Sequence, residues 1–293
     1  MYIMQTRRCF MRAVNGSDPE RAVELLWGEA GGGSRRGLTL DRVVRAGASV
    51  ADAEGLRGLT MQKVAERLGF TTMSLYRYVP SRDHLIDLMY DHAVGEGSVA
   101  EPEGGWRVCL EACARRSWER HQRHPWLAEV RGNRRVPGPN TMAHFERILS
   151  ILASTSLHPT EVVAAAELMG RFIDAQGLAL VEAAEEERDS DVSNREWWEA
   201  RDSLFARFDH FPTVSALWEA GGFDEPEDPF EFGLTRVLDG IELLINRRDE
   251  TSDEITSCQV CGDPVQQPAS GRRRAYCSRA CQQRAYRKRQ ATS

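Results

Sequence analysis

The sequence predicts an all-α chain with a small cysteine-held appendage. Three observations carry that prediction. Apolar residues recur at three- and four-residue steps from Leu38 onward, no segment between 104 and 250 alternates as a strand, and four of the seven cysteines lie beyond residue 257.

At 293 residues the chain has room for about two well-buried cores and one smaller module. Hydrophobic residues make up 41% and charged residues 28%, the balance of a water-soluble globular protein. No run reaches the roughly eighteen apolar residues that a membrane span requires. The opening MYIMQTRRCFMRAV lacks the apolar stretch and small-residue cleavage site of a secretory signal, so a cytoplasmic location without a membrane partner is expected. A net charge of −6 argues against a chain coated uniformly with nucleic acid. The charge is uneven: beyond residue 250, eight basic residues face Asp253, Glu254 and Asp263, a net of +5 that leaves −11 for residues 1–250.

Residues 1–37 end in GEAGGGSRRG and read as a flexible arm. Its Arg35 and Arg36 either trail in solvent or reach DNA phosphates or a minor groove. A first amphipathic helix follows, with Leu40, Val43, Val44, Ala48 and Ala51 on its inner face until Gly55 stops it. Thr60 caps a second, whose inner face is Val64, Ala65 and Leu68, and Gly69 ends it. Thr71 caps a third that carries Leu75 and Val79 inward. Pro80 stops that helix, and Ser81 caps a fourth with Leu85, Ile86, Leu88 and Met89 on its apolar face. Residues 38–94 thus form one helical domain.

Residues 95–250 form a second. Helical periods run through WRVCLEACARRSW, NTMAHFERILSIL, EVVAAAELMGRFIDAQGLALVEAA and FGLTRVLDGIELLI, with breaks at His124-Pro125, Pro137-Gly138-Pro139, His158-Pro159 and Gly221-Gly222. The charged EAAEEERDSDVSNRE is expected to fray from a helix into a loop. Residues 251–293 are too few to bury a core unaided.

Only Gly69 and Phe70 separate the second helix from the third, and small Ala65 lets the two pack closely, which is helix-turn-helix spacing. The third helix then presents Thr72, Met73, Ser74, Tyr76, Arg77 and Tyr78 outward. Hydroxyl, guanidinium, thioether and ring groups of this kind suit base edges and thymine methyls in a major groove, although Tyr76 also fits packing against the first helix. Thr60 and Arg82 each start a helix, where phosphate is favoured.

The longer string LTMQKVAERLGFTTMSLYRYVPSRDHLIDLM resembles the DNA-binding segment of the tetracycline-repressor (TetR) family. The resemblance is strong over about residues 36–92 and continues more loosely, through RHPWL and the later helical periods, to about 248. It implies a homodimer whose two recognition helices enter successive major grooves of a double-stranded DNA operator. It also implies a helical C-terminal domain that dimerises and takes an unidentified small-molecule effector. Transferred by position, the recognition helix supplies Thr72, Met73, Ser74, Tyr76, Arg77 and Tyr78, the second helix Thr60 and Gln62, and the fourth Arg82. Where the tetracycline repressor uses histidines to help hold a magnesium–drug complex, this chain has Glu96, Gly97 and Ser98, so tetracycline is not the expected effector.

Dimerisation in that family resembles a four-helix bundle. Here Leu234, Val237, Leu238, Ile241, Leu244 and Ile245 on one helix, with Val162, Ala165, Met169, Phe172 and Ile173 on another, offer apolar stripes, and intramolecular core is the rival reading. Trp118, His121, Phe145, Phe172 and Gln176 are candidate liners of the effector pocket. Cys109 and Cys113, one helical turn apart, fit a buried helix interface, a thiol sensor or half a metal site.

Cys258 and Cys261 are two residues apart, Cys277 follows fifteen residues later and Cys281 three beyond that. Two such pairs match a structural four-cysteine zinc site, in which metal replaces the missing core, and Gly262 suits the turn after the first pair. A disulfide framework is the rival, disfavoured in a reducing compartment. The second pair opens a basic helix with Arg279, Arg284, Tyr286, Arg287, Lys288 and Arg289, suited either to nucleic acid or to a solvated or docking tail. The chain lacks HExxH and a His-x-Glu with Pro-Cys-x-x-Cys, and four cysteines would close the metal's coordination sphere, so no enzyme is expected. The expected function is a ligand-released transcriptional repressor. The alternative is a zinc-dependent RNA-binding or adaptor protein that uses the helical fold as scaffold.

Overall fold

The computed structural model describes residues 19–28, 37–97, 102–130, 135–205, 207–224, 227–253, 257–265 and 274–290. They are almost wholly helical. The sole β-type pairing among them is an isolated antiparallel bridge between Ser257 and Pro264. The chain gathers into two compact units, one of Met1–Glu101, Cys113–Arg147 and Arg171–Pro226, the other of Pro102–Ala112, Ile148–Gly170 and Glu227–Ser293.

The first unit opens with α1 (Pro19–Trp27). The sequence expectation of a flexible arm over 1–37 gives way here, because Ala22 and Leu26 share a face and are buried, and the Trp27 indole donates to the Pro137 carbonyl at 3.0 Å. Arg35 and Arg36 lie outside the described residues. Helix α2 (Leu40–Gly58) is capped by Thr39, whose hydroxyl accepts from Arg42 N, and it breaks where expected, at Gly55 with φ 70°. Helix α3 (Met61–Leu68) starts on Thr60 and ends on Gly69, α4 (Thr72–Tyr76) follows, and α5 (Arg82–Val94) starts on Ser81. Val43, Val64, Leu75, Val79, Leu85 and Met89 are fully buried together in one core, as their spacing requires.

Helices α6 (Trp106–Arg123), α7 (Pro139–Ala153) and α8 (Pro159–Ser190) each give part of their length to both units. α8 stays helical to Ser190, the acidic stretch leaves the helix at residues 191–193, and a capping box at Ser193 and Glu196 starts α9 (Asn194–Glu199). α10 (Asp202–Phe205) and α11 (Pro212–Glu219) complete the first unit.

In the second unit, α12 (Pro229–Asp253) buries Phe230, Leu234, Leu238, Ile241 and Ile245, while the first turns of α8 bury Val162, Ala165 and Met169. Most of the residues read as dimerisation stripes are therefore buried within the chain itself, while Phe172, Val237 and Leu244 are half-buried. Arg107 bridges Asp239 at 2.6 Å and Glu242 at 2.8 Å, and Arg248 pairs with Glu161. The apolar side chains these helices leave outward are Val163, Leu168, Phe232 and Leu243. The unit ends with α13 (Arg279–Gln290).

The RHPWL turn supplies a polar lock to the first unit. His124 is buried, and its ring nitrogens meet Asp52 at 2.7 Å and Glu96 at 3.0 Å, while the Trp126 indole donates to Asp52 at 2.6 Å. The bond from Asp52, opposed by burial and aided by Glu96, raises the His124 pKa above 6.5. A raised histidine contributes stability that is complete below its unfolded pKa and lost as pH rises through the folded value. The thermal midpoint is therefore expected to fall as pH rises from about 6.5. His124→Gln should lower stability by about 1–3 kcal/mol at pH 6 and flatten that slope. Calorimetry of both proteins across the range checks this, and an equally steep slope in the variant would assign it elsewhere.

Candidate functional site

The reading head is built from short capped pieces. The Thr60 hydroxyl accepts from Lys63 N at 3.2 Å, satisfying one of the orphan donors at the start of α3. Gly69, at φ 73°, ends that helix, and Phe70 N donates back to the Ala65 carbonyl at 3.0 Å. A left-handed residue is required to turn the chain so tightly into α4, and glycine adopts that conformation without strain. α4 is held from beneath by Leu75 and Val79, both with no exposed surface.

Above those anchors, Met73, Tyr76 and Arg77 stand exposed at i, i+3 and i+4, with Met73 74% accessible, while Thr72 and Ser74 are half-buried beside them. This is the outward face the sequence predicts, with two corrections. Tyr78 turns inward: its ring packs on the core and its hydroxyl donates to the Leu38 carbonyl at 2.8 Å, which ties the entry of α2 to the exit of α4. Arg82 is half-buried and occupied by backbone, its Nε donating to the Leu59 carbonyl at 2.8 Å and its Nη2 to the Leu56 carbonyl. It closes the carbonyl end of α2 instead of standing free for phosphate. Gln62 is exposed, with its amide resting on Glu66 at 2.9 Å.

Sequence reasoning missed one pair at this surface. Arg42 lies over the exposed Phe70 ring, 5.8 Å from its centroid, bringing a cation from α2 to the turn. Their separation of 28 positions leaves no local signal.

A cleft of about 530 Å³ opens in the first unit. Asp87 and Tyr90 of α5 form one wall and Arg171, Asp174 and Ala175 of α8 another, while Leu127, Val130, Val136 and Pro137 supply apolar surface. Burial pushes the Asp87 carboxyl up, against the Arg135 guanidinium with which it is paired. None of the five predicted liners borders this cleft. His121 is buried with Nδ1 at 2.9 Å from the Ser117 carbonyl and Nε2 at 3.5 Å from Asp174, Phe145 is exposed on α7, and Trp118, Phe172 and Gln176 are half-buried. Helical periodicity gives the faces of each helix but not which face meets which neighbour.

In the tail, the sulfurs of Cys258, Cys261, Cys277 and Cys281 lie within 4.8 Å of one another, the only such gathering of His, Cys, Asp or Glu ligands among the described residues. Cys261 stands 3.4 Å from Cys277, Cys277 3.6 Å from Cys281, and Cys281 3.7 Å from Cys261. Four thiolates about 2.3 Å from a zinc ion stand about 3.8 Å apart at tetrahedral edges, so the donors fit that metal. A turn with Gly262 at φ 77° shapes the first pair, and Cys281 sits in the first turn of α13. Cys113 is buried and Cys109 half-buried, and neither is in a disulfide.

Residues 43–89 match the family described as bacterial regulatory proteins, tetR family, and residues 99–245 match the tetracyclin repressor-like C-terminal domain. Neither match includes the cysteine tail. The chain is 38% identical over 253 residues to the HTH-type transcriptional repressor DrrR1 of Streptomyces coeruleorubidus, covering 83% of this chain and 93% of that one. It is 28% identical over 209 residues to the class A tetracycline repressor from transposon 1721 of Escherichia coli, covering 70% and 90%. Among solved structures, ActR of Streptomyces coelicolor in complex with actinorhodin aligns at 29% identity and a TM-score of 0.58, over 70% of this chain and 96% of that one. With a capped helix-turn-helix, a helical C-terminal region and matches spanning both, the chain is a DNA-binding transcriptional regulator and belongs to the TetR family.

Proposed function

We propose that the chain is a homodimeric, cytoplasmic repressor that reads its operator through α4 and leaves it when a small molecule enters the cleft on α5. The observation that carries this reading is the placement of α5. It begins three residues beyond the buried Val79 that anchors α4, and it lines the cleft with Asp87 and Tyr90. Base contacts fall to Met73, Tyr76 and Arg77, with Thr72, Ser74, Thr60 and Gln62 beside them. The solved complex of ActR with actinorhodin supports a small-molecule ligand. The regulatory family supports a role without catalysis.

Arg77→Ala and Met73→Ala are expected to weaken operator binding by about 1–3 kcal/mol per half-site while leaving stability unchanged. Tyr78→Phe should instead lower stability by about 1 kcal/mol, because it removes the bond to Leu38. Gel shifts with duplex DNA, single strands and structured RNA, paired with melting curves, check the assignment. Equal binding of RNA and duplex would favour the RNA-binding alternative.

Dimerisation is assigned to the outward apolar face of α8 and α12. Leu168, 51% exposed, and Leu243, 53% exposed, should give soluble monomers when replaced together by glutamate, since like charges would meet across a two-fold interface. Light scattering that still reports a dimer would move the interface.

The tail is read as a structural zinc module. Desolvation of its sulfur opposes ionisation of Cys258, but backbone N–H groups of Cys277, Val260 and Cys261 bring that thiol down, while the crowded neighbouring sulfurs push Cys261 and Cys277 up, so the cluster favours a single thiolate until a cation offsets the rest. One zinc per chain is expected by elemental analysis, lost on Cys258→Ser or on truncation after Arg248, with helices α2 to α8 unaffected by chelation. Equal metal content in the truncated protein would defeat the assignment.

A further inference from the structure

We propose that α13 is a second DNA-contacting element, a helix that grips the phosphates of duplex DNA whatever their sequence. The proposal rests on reading the cysteine cluster as the fixed base of that helix. Cys281 N donates to the Ser278 hydroxyl at 3.3 Å, which caps the start of α13, and the buried Cys281 sulfur stands 3.6 Å from Cys277 and 3.7 Å from Cys261. Along the 12 residues of α13, Cys281 is the one buried side chain and Ala285, a turn later, is half-buried. All the others are exposed. By helical period, the face opposite Cys281 and Ala285 carries Arg279, Gln283, Tyr286 and Gln290, with Arg287 on one flank and Arg289 on the other.

Three features choose the partner. The first is charge: residues 264–293 carry eight arginines and lysines and no Asp or Glu, a net of +8 against −14 for residues 1–263. The second is the lack of local counter-ions. Charges that only support a helix are commonly paired one turn away, as Arg21 is with Glu24 on α1 and Arg45 with Asp41 on α2. α13 has no carboxylate to offer. The third is the lack of an apolar stripe. Tyr286, 61% exposed, is the sole large apolar side chain that α13 exposes, and the Gln290 amide donates to its hydroxyl at 3.1 Å. A helix that docks on a membrane or in an apolar protein groove needs a row of such residues.

What fits is a polyanion that accepts from guanidinium, ammonium and amide groups along about 18 Å of helix. Duplex DNA presents phosphates on both walls of a major groove about 12 Å wide, which admits a helix with cations on its two flanks. The chain already belongs to a family of DNA-binding regulators, which favours that polyanion over RNA. Arg279 shares the first turn with Cys281, and Arg284 lies 3.8 Å from its sulfur, so the phosphate contacts fall chiefly to Arg287, Lys288 and Arg289 in the last turn.

The test uses the full chain and a fluorescent duplex of random sequence, with affinity followed from about 50 to about 200 mM salt. Each phosphate neutralised contributes about 0.9 to the slope of log affinity against log salt. Arg287→Gln, Lys288→Gln and Arg289→Gln combined should therefore lower the slope by about 2 to 3 per chain and weaken binding at least about 10-fold. Arg287→Lys with Arg289→Lys should keep the slope. Arg188→Gln, Arg207→Gln and Arg236→Gln combined remove the same charge from exposed positions elsewhere and should also keep it. Tyr286→p-benzoylphenylalanine should photo-crosslink to the duplex. An unchanged slope in the α13 triple variant, an equal loss in the control triple variant, or no crosslink from position 286 would overturn the proposal. Tighter binding of a hairpin RNA than of the duplex, lost in the same α13 variant, would also overturn it and assign the helix to RNA. Metal analysis of the same samples separates the two readings of the tail. Bound zinc with an unchanged slope defeats the DNA contact alone, whereas a lowered slope in protein without zinc defeats the metal site alone.

Discussion

A helix covered on nearly every side cannot leave its polar side chains unpaired, and α5 is such a helix. His84, Leu85, Ile86, Asp87, Leu88, Met89, Asp91 and Ala93 are all buried along it. Its two buried carboxylates each reach a different segment. Asp87 takes Arg135, and Asp91 accepts from the backbone and side chains of Asn140 and Thr141, which closes the start of α7. At the two ends, Arg82 holds the carbonyls that finish α2, and Glu96 just beyond takes His124. The apolar residues set how deeply α5 is buried, and the polar ones fix what must surround it. His84 Nε2 is the one buried side-chain atom among the described residues that finds no partner, beside an Nδ1 that meets Ser81 at 2.7 Å.

This arrangement limits how a ligand can act. A small molecule shifts a protein between two arrangements only by binding them with different affinity. Within the proposed cleft, Asp87 and Tyr90 are the groups that belong to the same rigid helix as the cap beneath the reading head. A displacement felt at those two residues is carried to Ser81 and Arg82 without passing through a flexible joint. Tyr78 and Arg82, which the sequence suggested as DNA contacts, serve this rigidity: one fastens α4 to the start of α2, the other fastens α5 to its end.

What was legible in the sequence was local. Caps at Thr60 and Ser81 and the left-handed stop at Gly69 depend on residues within a few positions, and the inward Leu75 and Val79 follow from helical spacing. The cysteine spacing was legible for the same reason, since each pair sits on one turn. The misreadings all depend on a distant partner. The Tyr78 hydroxyl is satisfied 40 residues away, Trp27 of the supposed arm 110 residues away. The stripe on α12 was read correctly as apolar, but periodicity cannot tell a chain's own core from a partner's. For the same reason periodicity does not show which helix faces line the cleft.

The tail shows how little apolar surface can specify a fold when ligands share the task. Among its described residues Cys258, Val265 and Cys281 are the buried ones, with Tyr276 packed against them, far too few to offset the entropy of ordering the segment. Metal binding would supply the difference, but it also changes the charge. Four thiolates around a divalent ion leave a net of about −2, where four neutral thiols leave none. The tail's +5 would therefore fall by two on loading. Arg284, whose Nη2 lies 3.8 Å from the Cys281 sulfur, is placed to neutralise part of the site from α13 itself. Zinc would thus fix the direction of the basic helix while weakening its field. Any electrostatic role of α13 would have to come from the arginines beyond that first turn, Arg287 and Arg289 with Lys288, which stand farthest along the helix from the thiolates.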